Sequence, residues 1–121
     1  MKGLLIIAHG SRRKESNQEV LALRDKIASG TPQVPLIAHA FLELANPTIS
    51  EGAEQLILAG AKEILVMPFF LVAGQHVVTD IPKEIDKVIE NNPGIHIAIA
   101  PYFGSSDGVV TEMLSQIHRA I

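Results

Sequence analysis

The strongest constraint on the fold of this chain is a regular alternation of short apolar runs with segments of helical periodicity. Residues 4–8 form a continuous apolar run, which is typical of a strand buried on both faces of a sheet. A segment with apolar residues at helical spacing follows, and this strand–helix unit occurs four times. Strands that alternate with helices indicate an α/β fold with a parallel sheet, right-handed crossovers and helices on both faces.

Turn and capping signals set the predicted boundaries of these elements. The first helix is predicted to begin with a capping box of Ser16 and Glu19, and the second with Asn46 as its cap and Pro47 in its first turn. A third helix is predicted to start near Asp80, which is its expected cap. The predicted strands are residues 4–8, 36–44, 64–72 and 95–100.

The simplest arrangement of four such units is a flavodoxin-like sheet with the strand order 2-1-3-4. Strands 1 and 3 then lie side by side, and the loops that follow them leave in opposite directions. A crevice forms beyond the carboxyl ends of these strands, and folds of this kind bind ligands there. We therefore expect a single domain over residues 1–121, with a ligand site at this edge.

Three ionisable side chains fall at the predicted ligand edge. His9 directly follows the first strand, Glu43 lies near the end of the second, and His76 lies in the loop after the third. Neutral imidazole is a common ligand for borderline divalent ions, and a carboxylate can join it or accept a proton. Each residue taken alone can also be a hydrogen-bonding group of a loop or a solvated strand end. Their convergence at one edge favours a functional site.

Other polar residues near this edge have two interpretations each. His39 shares a strand face with Glu43 and could support it, although a hydrogen-bonded structural histidine is the simpler interpretation. Arg12, Arg13 and Lys14 form a local positive cluster. This cluster can receive an anionic ligand, or it can be a solvated loop before a helix.

Composition excludes several classes of function. The chain has 10 Lys and Arg against 13 Asp and Glu, so it lacks the basic excess that a nucleic-acid partner requires. It has no cysteine, which excludes disulfides, thiolate metal sites and cysteine nucleophiles. No apolar run reaches the roughly 18 residues of a membrane span, and the glycine-rich motifs of dinucleotide and NTP sites are absent. We expect a cytoplasmic protein with neither a nucleic-acid nor a membrane partner.

Three ordered segments resemble the motifs of the class II chelatases. They are Ala8-His9-Gly10-Ser11-Arg12, the sequence FLELANPTI at residues 41–49, and the sequence PFFLVAGQH at residues 68–76 followed by Asp80-Ile81-Pro82. Together with its length, the chain is similar to the small CbiX-type sirohydrochlorin cobaltochelatases. The resemblance implies a flavodoxin-like chelatase half-domain that acts as a homodimer, because larger relatives join two such domains in one chain.

The resemblance also implies a reaction and roles for particular residues. The reaction is ATP-independent insertion of Co²⁺ into sirohydrochlorin, a tetrapyrrole of the cobalamin pathway, with Fe²⁺ or Ni²⁺ as alternative ions and no permanently bound cofactor. His9 and His76 are the implied metal-binding and catalytic pair, with Glu43 as a further catalytic residue. The residues expected to bind the substrate are Ser11, Arg12, Arg13 and Gly74.

The chemistry of insertion suits these side chains. The macrocycle loses its pyrrole N–H protons as the metal enters, and imidazoles can hold the ion, replace its water and accept protons. Because protons compete with the metal for neutral imidazole, insertion is expected to slow on acidification.

Two other classes of function remain open at this stage. A phosphotransfer enzyme could use His9, but Ala8 stands where the R-H-G motif of histidine phosphatases has its arginine. A metal or tetrapyrrole carrier would bind the ion and the macrocycle without accelerating insertion. A spectroscopic insertion assay separates the carrier from the enzyme.

Overall fold

The computed structural model describes residues 1–121, apart from the side chains of His76 and Val78. Strands and α-helices alternate along the chain, with one turn of 3-10 helix (η1) before the last α-helix. The strands are β1 (Lys2–Ala8), β2 (Leu36–Phe41), β3 (Glu63–Pro68) and β4 (His96–Ile99). The helices are α1 (Lys14–Gly30), α2 (Ile49–Leu58), α3 (Gln75–Asn91), η1 (Phe103–Ser105) and α4 (Asp107–Ala120).

The four strands form one parallel sheet in the order β2-β1-β3-β4. This confirms the predicted α/β fold and the predicted strand order. β1 pairs with both β2 and β3, so that Leu4 lies between Ile37 on one side and Leu65 on the other. Because β1 is central, the carboxyl ends of three neighbouring strands meet at one edge of the sheet, which we call the carboxyl edge.

The main hydrophobic core lies on the face of the sheet that α2 and α3 cover. Leu5 and Ile7 of β1 are completely buried there against Ile81 and Ile85 of α3. Complete burial of an aliphatic side chain contributes roughly 1.5–3 kcal/mol. This core therefore fixes β1, and with it the start of the loop that carries His9.

The opposite face of the sheet is covered over only part of its area. α1 packs on β2 there, and its buried Val20 joins Ala8 and Phe41 in a small second cluster. The β3–β4 half of this face is open, since Leu65 is 43% exposed and Ala98 is exposed. Among the described residues, α4 makes substantial contact only with η1, and none of its side chains is buried.

The structure corrects the predicted start of α1. The helix begins at Lys14, with Arg13 in the N-cap position, and Ser16 is not its cap. The backbone N–H of Ser16 already donates to the Arg13 carbonyl at 3.1 Å, so Ser16 lies inside the first turn. The Ser16–Glu19 pattern has the sequence of a capping box, but the chain becomes helical before it.

The cap of α2 is also different from the predicted one. Thr48, rather than Asn46, is the N-cap. Its hydroxyl accepts the N–H of Glu51 at 3.2 Å, while the Glu51 carboxylate accepts the N–H of Thr48 at 2.9 Å. Pro47 therefore precedes the helix instead of opening it, and the capping box of Thr48 and Glu51 begins two residues after the predicted cap.

α3 begins well before the predicted Asp80. Gly74 is its N-cap, in an extended conformation, and Pro82 lies inside the helix. Asp80 is consequently an interior residue of α3 and not a cap. The earlier start is stabilised by Val77, a partly buried side chain in the first turn that packs against the main core.

Two strands end earlier than the apolar runs predict. β2 ends at Phe41 instead of residue 44: residues 42–47 form bends, and Leu44 has a left-handed conformation with φ of 67°. β3 ends at Pro68 instead of residue 72, and Leu71 and Val72 are exposed. No helix of the described part of the chain has the length and apolar character needed to cross a membrane.

Candidate functional site

His9 and Glu43 meet at the carboxyl edge of the sheet. His9 is the first residue after β1, and Glu43 follows β2 by two residues. His9 Nε2 lies 3.2 Å from Glu43 Oε1, and the two side chains are 53% and 58% exposed. The structure therefore brings together two of the three ionisable side chains expected at this edge, and both remain open to solvent.

The backbone around this pair continues the pairing of β1 with β2 beyond the strand ends. The N–H of Glu43 donates to the His9 carbonyl at 3.0 Å. Gly10 then turns the chain with φ of +96°, and a Cβ at this position would lie 1.8 Å from the Glu43 carbonyl oxygen. Only glycine lets the loop after β1 pass so close to the loop after β2.

Asn17 holds the loop between β1 and α1. Its Oδ1 accepts the N–H of Ser11 at 3.0 Å, and its Nδ2 donates to the Ser11 carbonyl at 2.8 Å. The Ser11 hydroxyl accepts the N–H of Arg13 at 3.0 Å. Sequence reasoning missed Asn17. The available signal was an amide side chain in the first turn of a helix that follows a candidate ligand loop.

The hydrogen bonds of His9 define what its ring can bind. Nδ1 lies 3.1 Å from the Gly10 carbonyl oxygen, which can only accept, so Nδ1 carries the hydrogen of this bond. Nε2 faces the Glu43 carboxylate, which is also an acceptor when ionised. A cation on this line, either a proton or a divalent metal ion, satisfies both the imidazole nitrogen and the carboxylate oxygen.

His76 occupies the second position of α3, in the first helical turn. The prediction that it lies in a loop was wrong, because α3 starts at Gln75. The side chain of His76 lies outside the described residues. Gly74, which was expected to bind substrate, is the exposed N-cap of the same helix.

The basic residues of the first loop separate into two groups. Arg12 and Lys14 line a groove of about 400 Å³, together with Asn17. Arg13 does not line this groove; its guanidinium lies 3.8 Å from the Glu15 carboxylate on the exposed surface. Arg12 and Lys14 are therefore placed to meet an anionic ligand beside the carboxyl edge.

Glu43 also borders α3. A second groove, of about 210 Å³, is lined by Glu43, Asp80 and Lys83 among others. α3 thus runs beside the loop that follows β2. In the described part of the chain, no group of three or more His, Asp or Glu side chains forms a metal-binding cluster. His9 and Glu43 supply a pair of donors.

His39 has a structural role in this molecule. Its Nδ1 accepts a hydrogen bond from Arg24 Nη1 at 2.9 Å, and its ring meets Phe41 edge-on at 5.5 Å. Burial lowers the pKa of His39, the Arg24 charge lowers it further, and Asp25 opposes this in part. These contacts direct His39 towards α1 and not towards Glu43.

The chain is similar to known proteins over nearly its whole length. The sequence profile of the CbiX family matches residues 3–120. A sirohydrochlorin ferrochelatase of Priestia megaterium is 35% identical over 119 residues, which cover 98% of this chain and 44% of that protein. A sirohydrochlorin cobaltochelatase of Sulfolobus acidocaldarius is 31% identical over 121 residues, which cover all of this chain and 94% of that protein.

A solved structure shows the same fold. The crystal structure of the sirohydrochlorin chelatase SirB from Bacillus subtilis subspecies spizizenii in complex with cobalt has a TM-score of 0.86 and 31% sequence identity to this chain. The match covers 98% of this chain and 50% of that one. The chain thus spans about half the length of SirB, and 44% of the Priestia protein.

Proposed function

We propose, since the chain belongs to the CbiX family, that it inserts a divalent metal ion into sirohydrochlorin without ATP. The observation that carries the proposal is the pair of His9 Nε2 and Glu43 Oε1, 3.2 Å apart and open to solvent at the carboxyl edge. A flat macrocycle needs such an open site, and an entering metal ion needs donors that can release it again.

Co²⁺ is the ion we propose. The names of the relatives include both cobalt and iron enzymes. The Sulfolobus acidocaldarius protein, of which this chain covers 94%, carries the name cobaltochelatase. Fe²⁺ is the first alternative, since ferrochelatases match at similar identity, and Ni²⁺ can use the same nitrogen and oxygen donors.

In this proposal His9 holds the incoming ion through Nε2, with Glu43 as the neighbouring oxygen donor. As the ion passes to the macrocycle, the same atoms become free to take up the protons that leave the pyrrole nitrogens. The hydrogen bond from Nδ1 to the Gly10 carbonyl keeps Nε2 directed outward. His76 is proposed as the second imidazole, contributed by the first turn of α3.

The carboxylate groups of sirohydrochlorin need cationic partners. Arg12 and Lys14 line the groove beside the carboxyl edge and are proposed to bind them. Ser11, Arg13 and Gly74 stay predicted substrate-binding residues, and support for Arg13 is weaker because it lies against Glu15.

We propose that the active form is a homodimer. One copy offers one wall of an open cleft, and the chain matches only 44–50% of the length of several relatives. A pair of copies would supply a second wall. The single-domain organisation, a cytoplasmic location and the lack of a permanently bound cofactor stay predictions.

The test is an insertion assay with purified protein, sirohydrochlorin and each of Co²⁺, Fe²⁺ and Ni²⁺, followed by the visible spectrum against a control without protein. We expect His9→Ala and His76→Ala each to slow insertion by about 100-fold or more, and Glu43→Gln by about 10-fold or more. The matched controls His118→Ala and Glu90→Gln change exposed groups near the C-terminal ends of α4 and α3 and should retain the wild-type rate.

Two outcomes would count against this function. If the wild-type protein does not exceed the spontaneous rate, the chain is a carrier and not a chelatase. If His9→Ala inserts metal at the wild-type rate while its circular dichroism is unchanged, His9 has no part in the reaction.

A further inference from the structure

The groove between the first half of α1 and the chain that follows β2, which we call the α1 groove, has a cationic lining. Its volume is about 400 Å³. Arg12, Lys14 and His39 belong to the lining, and none of the described residues that line it is an Asp or a Glu. The chain as a whole carries a formal charge of −3. A groove with only cationic and neutral side chains in an acidic protein suits an anionic ligand.

Arg12 and Lys14 are available to such a ligand. Both side chains are exposed, and neither forms an ion pair with another described residue. Arg13, which lies between them in the sequence, is 3.8 Å from the Glu15 carboxylate. A cation without a carboxylate partner loses no existing contact when it binds a ligand carboxylate, so Arg12 and Lys14 are better placed for this contact than Arg13.

His39 supplies a third donor through the ring nitrogen that its structural contact leaves unused. The Arg24 guanidinium can only donate, so the 2.9 Å hydrogen bond between them makes His39 Nδ1 the acceptor. Burial, and then the Arg24 charge, lowers the pKa of His39, which keeps the ring neutral near neutral pH. A neutral ring that accepts at Nδ1 carries its hydrogen on Nε2.

The Nε2–H of His39 is open to the α1 groove. Every buried polar side-chain atom in the described part of the chain has a hydrogen-bond partner, and the bond to Arg24 uses Nδ1. The described residues give Nε2 no acceptor, so this atom is not buried, and the ring lines the groove. Arg24 thus holds a donor in a fixed orientation for an acceptor that comes from outside the chain.

The α1 groove also has an apolar side, and Leu44 is part of it. Leu44 is 50% exposed and has φ of 67°, in the left-handed region that leucine rarely adopts. Residues held in this region concentrate at ligand sites. Leu21 and Phe41 also line the groove. It therefore combines donors for a charged group with apolar surface for a short hydrocarbon stem.

We propose that the α1 groove binds one carboxylate side arm of the macrocycle. His39 Nε2–H donates to the carboxylate together with Arg12 and Lys14. Leu44 covers the methylene stem of the arm. The inference rests on the proposed function and deepens it, because it makes His39 and Leu44 specificity-determining residues for the substrate.

The α1 groove adjoins the pair of His9 and Glu43. Two residues of its lining, Ser11 and Leu44, follow His9 by two positions and Glu43 by one. A macrocycle with one arm in the groove is therefore held at a defined position relative to the pair. Binding energy from a remote part of a substrate is used in this way to align the reacting atoms.

Binding of metal-free sirohydrochlorin, followed by the change in its visible spectrum on titration with protein, tests the subsite. We expect His39→Leu to raise the dissociation constant about 10-fold or more, because a hydrogen bond to a charged group is lost. His39→Gln should stay within about 3-fold of wild type, since glutamine offers both an acceptor for Arg24 and an N–H donor. Lys14→Gln should raise the dissociation constant about 5-fold or more. Its matched control Lys26→Gln, at an exposed position further along α1, should stay within about 2-fold.

A macrocycle whose carboxylates are methyl esters separates a ligand contact from an effect on the fold. The ester offers no charged acceptor to the groove, so wild type and His39→Leu should bind it with affinities within about 2-fold of each other. If His39→Leu weakens the binding of acid and ester equally, the substitution acts through the fold and the subsite is rejected.

Leu44→Asn gives a measurement that does not depend on His39. Asparagine adopts the left-handed conformation more readily than leucine, so urea denaturation should show a stability equal to or above that of the wild type. The dissociation constant for the macrocycle should nevertheless rise about 3-fold or more, because the apolar cover of the arm is lost. Wild-type affinity in the folded variant would remove Leu44 from the subsite.

The insertion assay separates this inference from the proposed function. We expect His39→Leu to raise KM about 10-fold and to leave kcat within about 3-fold, because the arm contact aids binding and the metal transfer takes place elsewhere. If the wild type inserts metal but His39→Leu binds the macrocycle as tightly as the wild type, the subsite alone is rejected. If the macrocycle binds through His39 but the wild type does not insert metal, the proposed function alone is rejected.

Discussion

Gly10 determines how closely the two loops of the candidate site approach each other. Its positive φ and its contact with the Glu43 carbonyl leave no room for a side chain. The 3.2 Å contact between His9 and Glu43 depends on this approach, because both residues are anchored by the backbone hydrogen bond that spans the two loops. Gly10 is thus a positioning residue for the pair.

Gly10→Ala should destabilise the fold and weaken the site together. We expect a loss of about 2 kcal/mol or more in the free energy of unfolding, from left-handed backbone strain and from the clash with the Glu43 carbonyl. Urea denaturation measures this loss, and the insertion assay should show a lower rate in the folded variant. Gly30→Ala is the matched control, since a Cβ there meets nothing within 4 Å. Equal stabilities of the two variants would contradict this role of Gly10.

His39 should make stability depend on pH. Its pKa is lowered in the folded state, first by burial and then by Arg24, so the unfolded chain binds the proton more readily. The contribution of neutral His39 is therefore complete above the unfolded pKa of about 6.5, and it is lost as pH falls towards the folded pKa.

The measurement compares urea denaturation of the wild type and His39→Gln between about pH 7.5 and about pH 5. Glutamine keeps a neutral acceptor for Arg24 and does not titrate. The stability advantage of the wild type over the variant should shrink on acidification. A difference that stays constant across this range would show that His39 does not contribute in this way.

Sequence reasoning located His9 and Glu43, because an apolar run shows where a strand ends and parallel strands end at the same edge. It did not find Asn17, since a hydrogen bond across a loop leaves no periodic pattern. The shared strand face predicted that His39 could support Glu43. Instead, His39 Nδ1 accepts a hydrogen bond from Arg24 of α1. The partner of a polar side chain depends on which helix covers it, which one strand alone does not reveal.

At the level of elements, the pattern predicted which segments are strands and helices, but several boundaries were wrong. Burial over a whole segment decides its type, whereas one or two hydrogen bonds decide its first residue. Ser16 with Glu19 and Thr48 with Glu51 have the same spacing, and only the second pair forms a capping box. In α3, packing of Val77 starts the helix ahead of Pro82.

The two candidate caps give a paired prediction. Thr48→Ala should lower the free energy of unfolding by about 1 kcal/mol, because it removes the hydroxyl that accepts the Glu51 N–H. Ser16→Ala should change stability by less than about 0.5 kcal/mol, since Ser16 lies half-buried inside the first turn of α1 and is not its cap. Chemical denaturation of the two variants measures both values. A Ser16→Ala loss as large as that of Thr48→Ala would restore the predicted cap of α1.

For the molecule as a whole, the strand order was predictable because few arrangements of four strand–helix units satisfy right-handed crossovers. The surface against which α4 packs was not predictable from the sequence. Its periodicity shows that Val110, Met113, Leu114 and Ile117 form one apolar face, but a pattern does not say which surface covers that face. The apolar side chains of α4 and the exposed side chains of β3 and β4 belong to one chain, and in the described structure these elements make no substantial contact with each other.

Thermal stability should therefore depend on protein concentration. If two copies bury the α4 face, mass action raises the unfolding temperature as concentration increases. We expect this rise for the wild type and for Gln116→Lys, and a much smaller one for Leu114→Lys. Calorimetry over a hundred-fold range of concentration measures it. An unfolding temperature that is independent of concentration in all three proteins would indicate a monomer.

The turn that precedes α4 is hydrogen-bonded to the chain that follows β3. The N–H of Gly104 donates to the Phe70 carbonyl, and a side chain at Gly104 would collide with Leu71, in the same stretch of chain that leads from β3 to the first turn of α3. A partner surface that held α4 in place would also restrain this stretch. His9 and Glu43, in contrast, are positioned by β1 and β2. In the proposed homodimer, separation of the two copies would therefore loosen the segment that carries His76 and leave His9 and Glu43 in place.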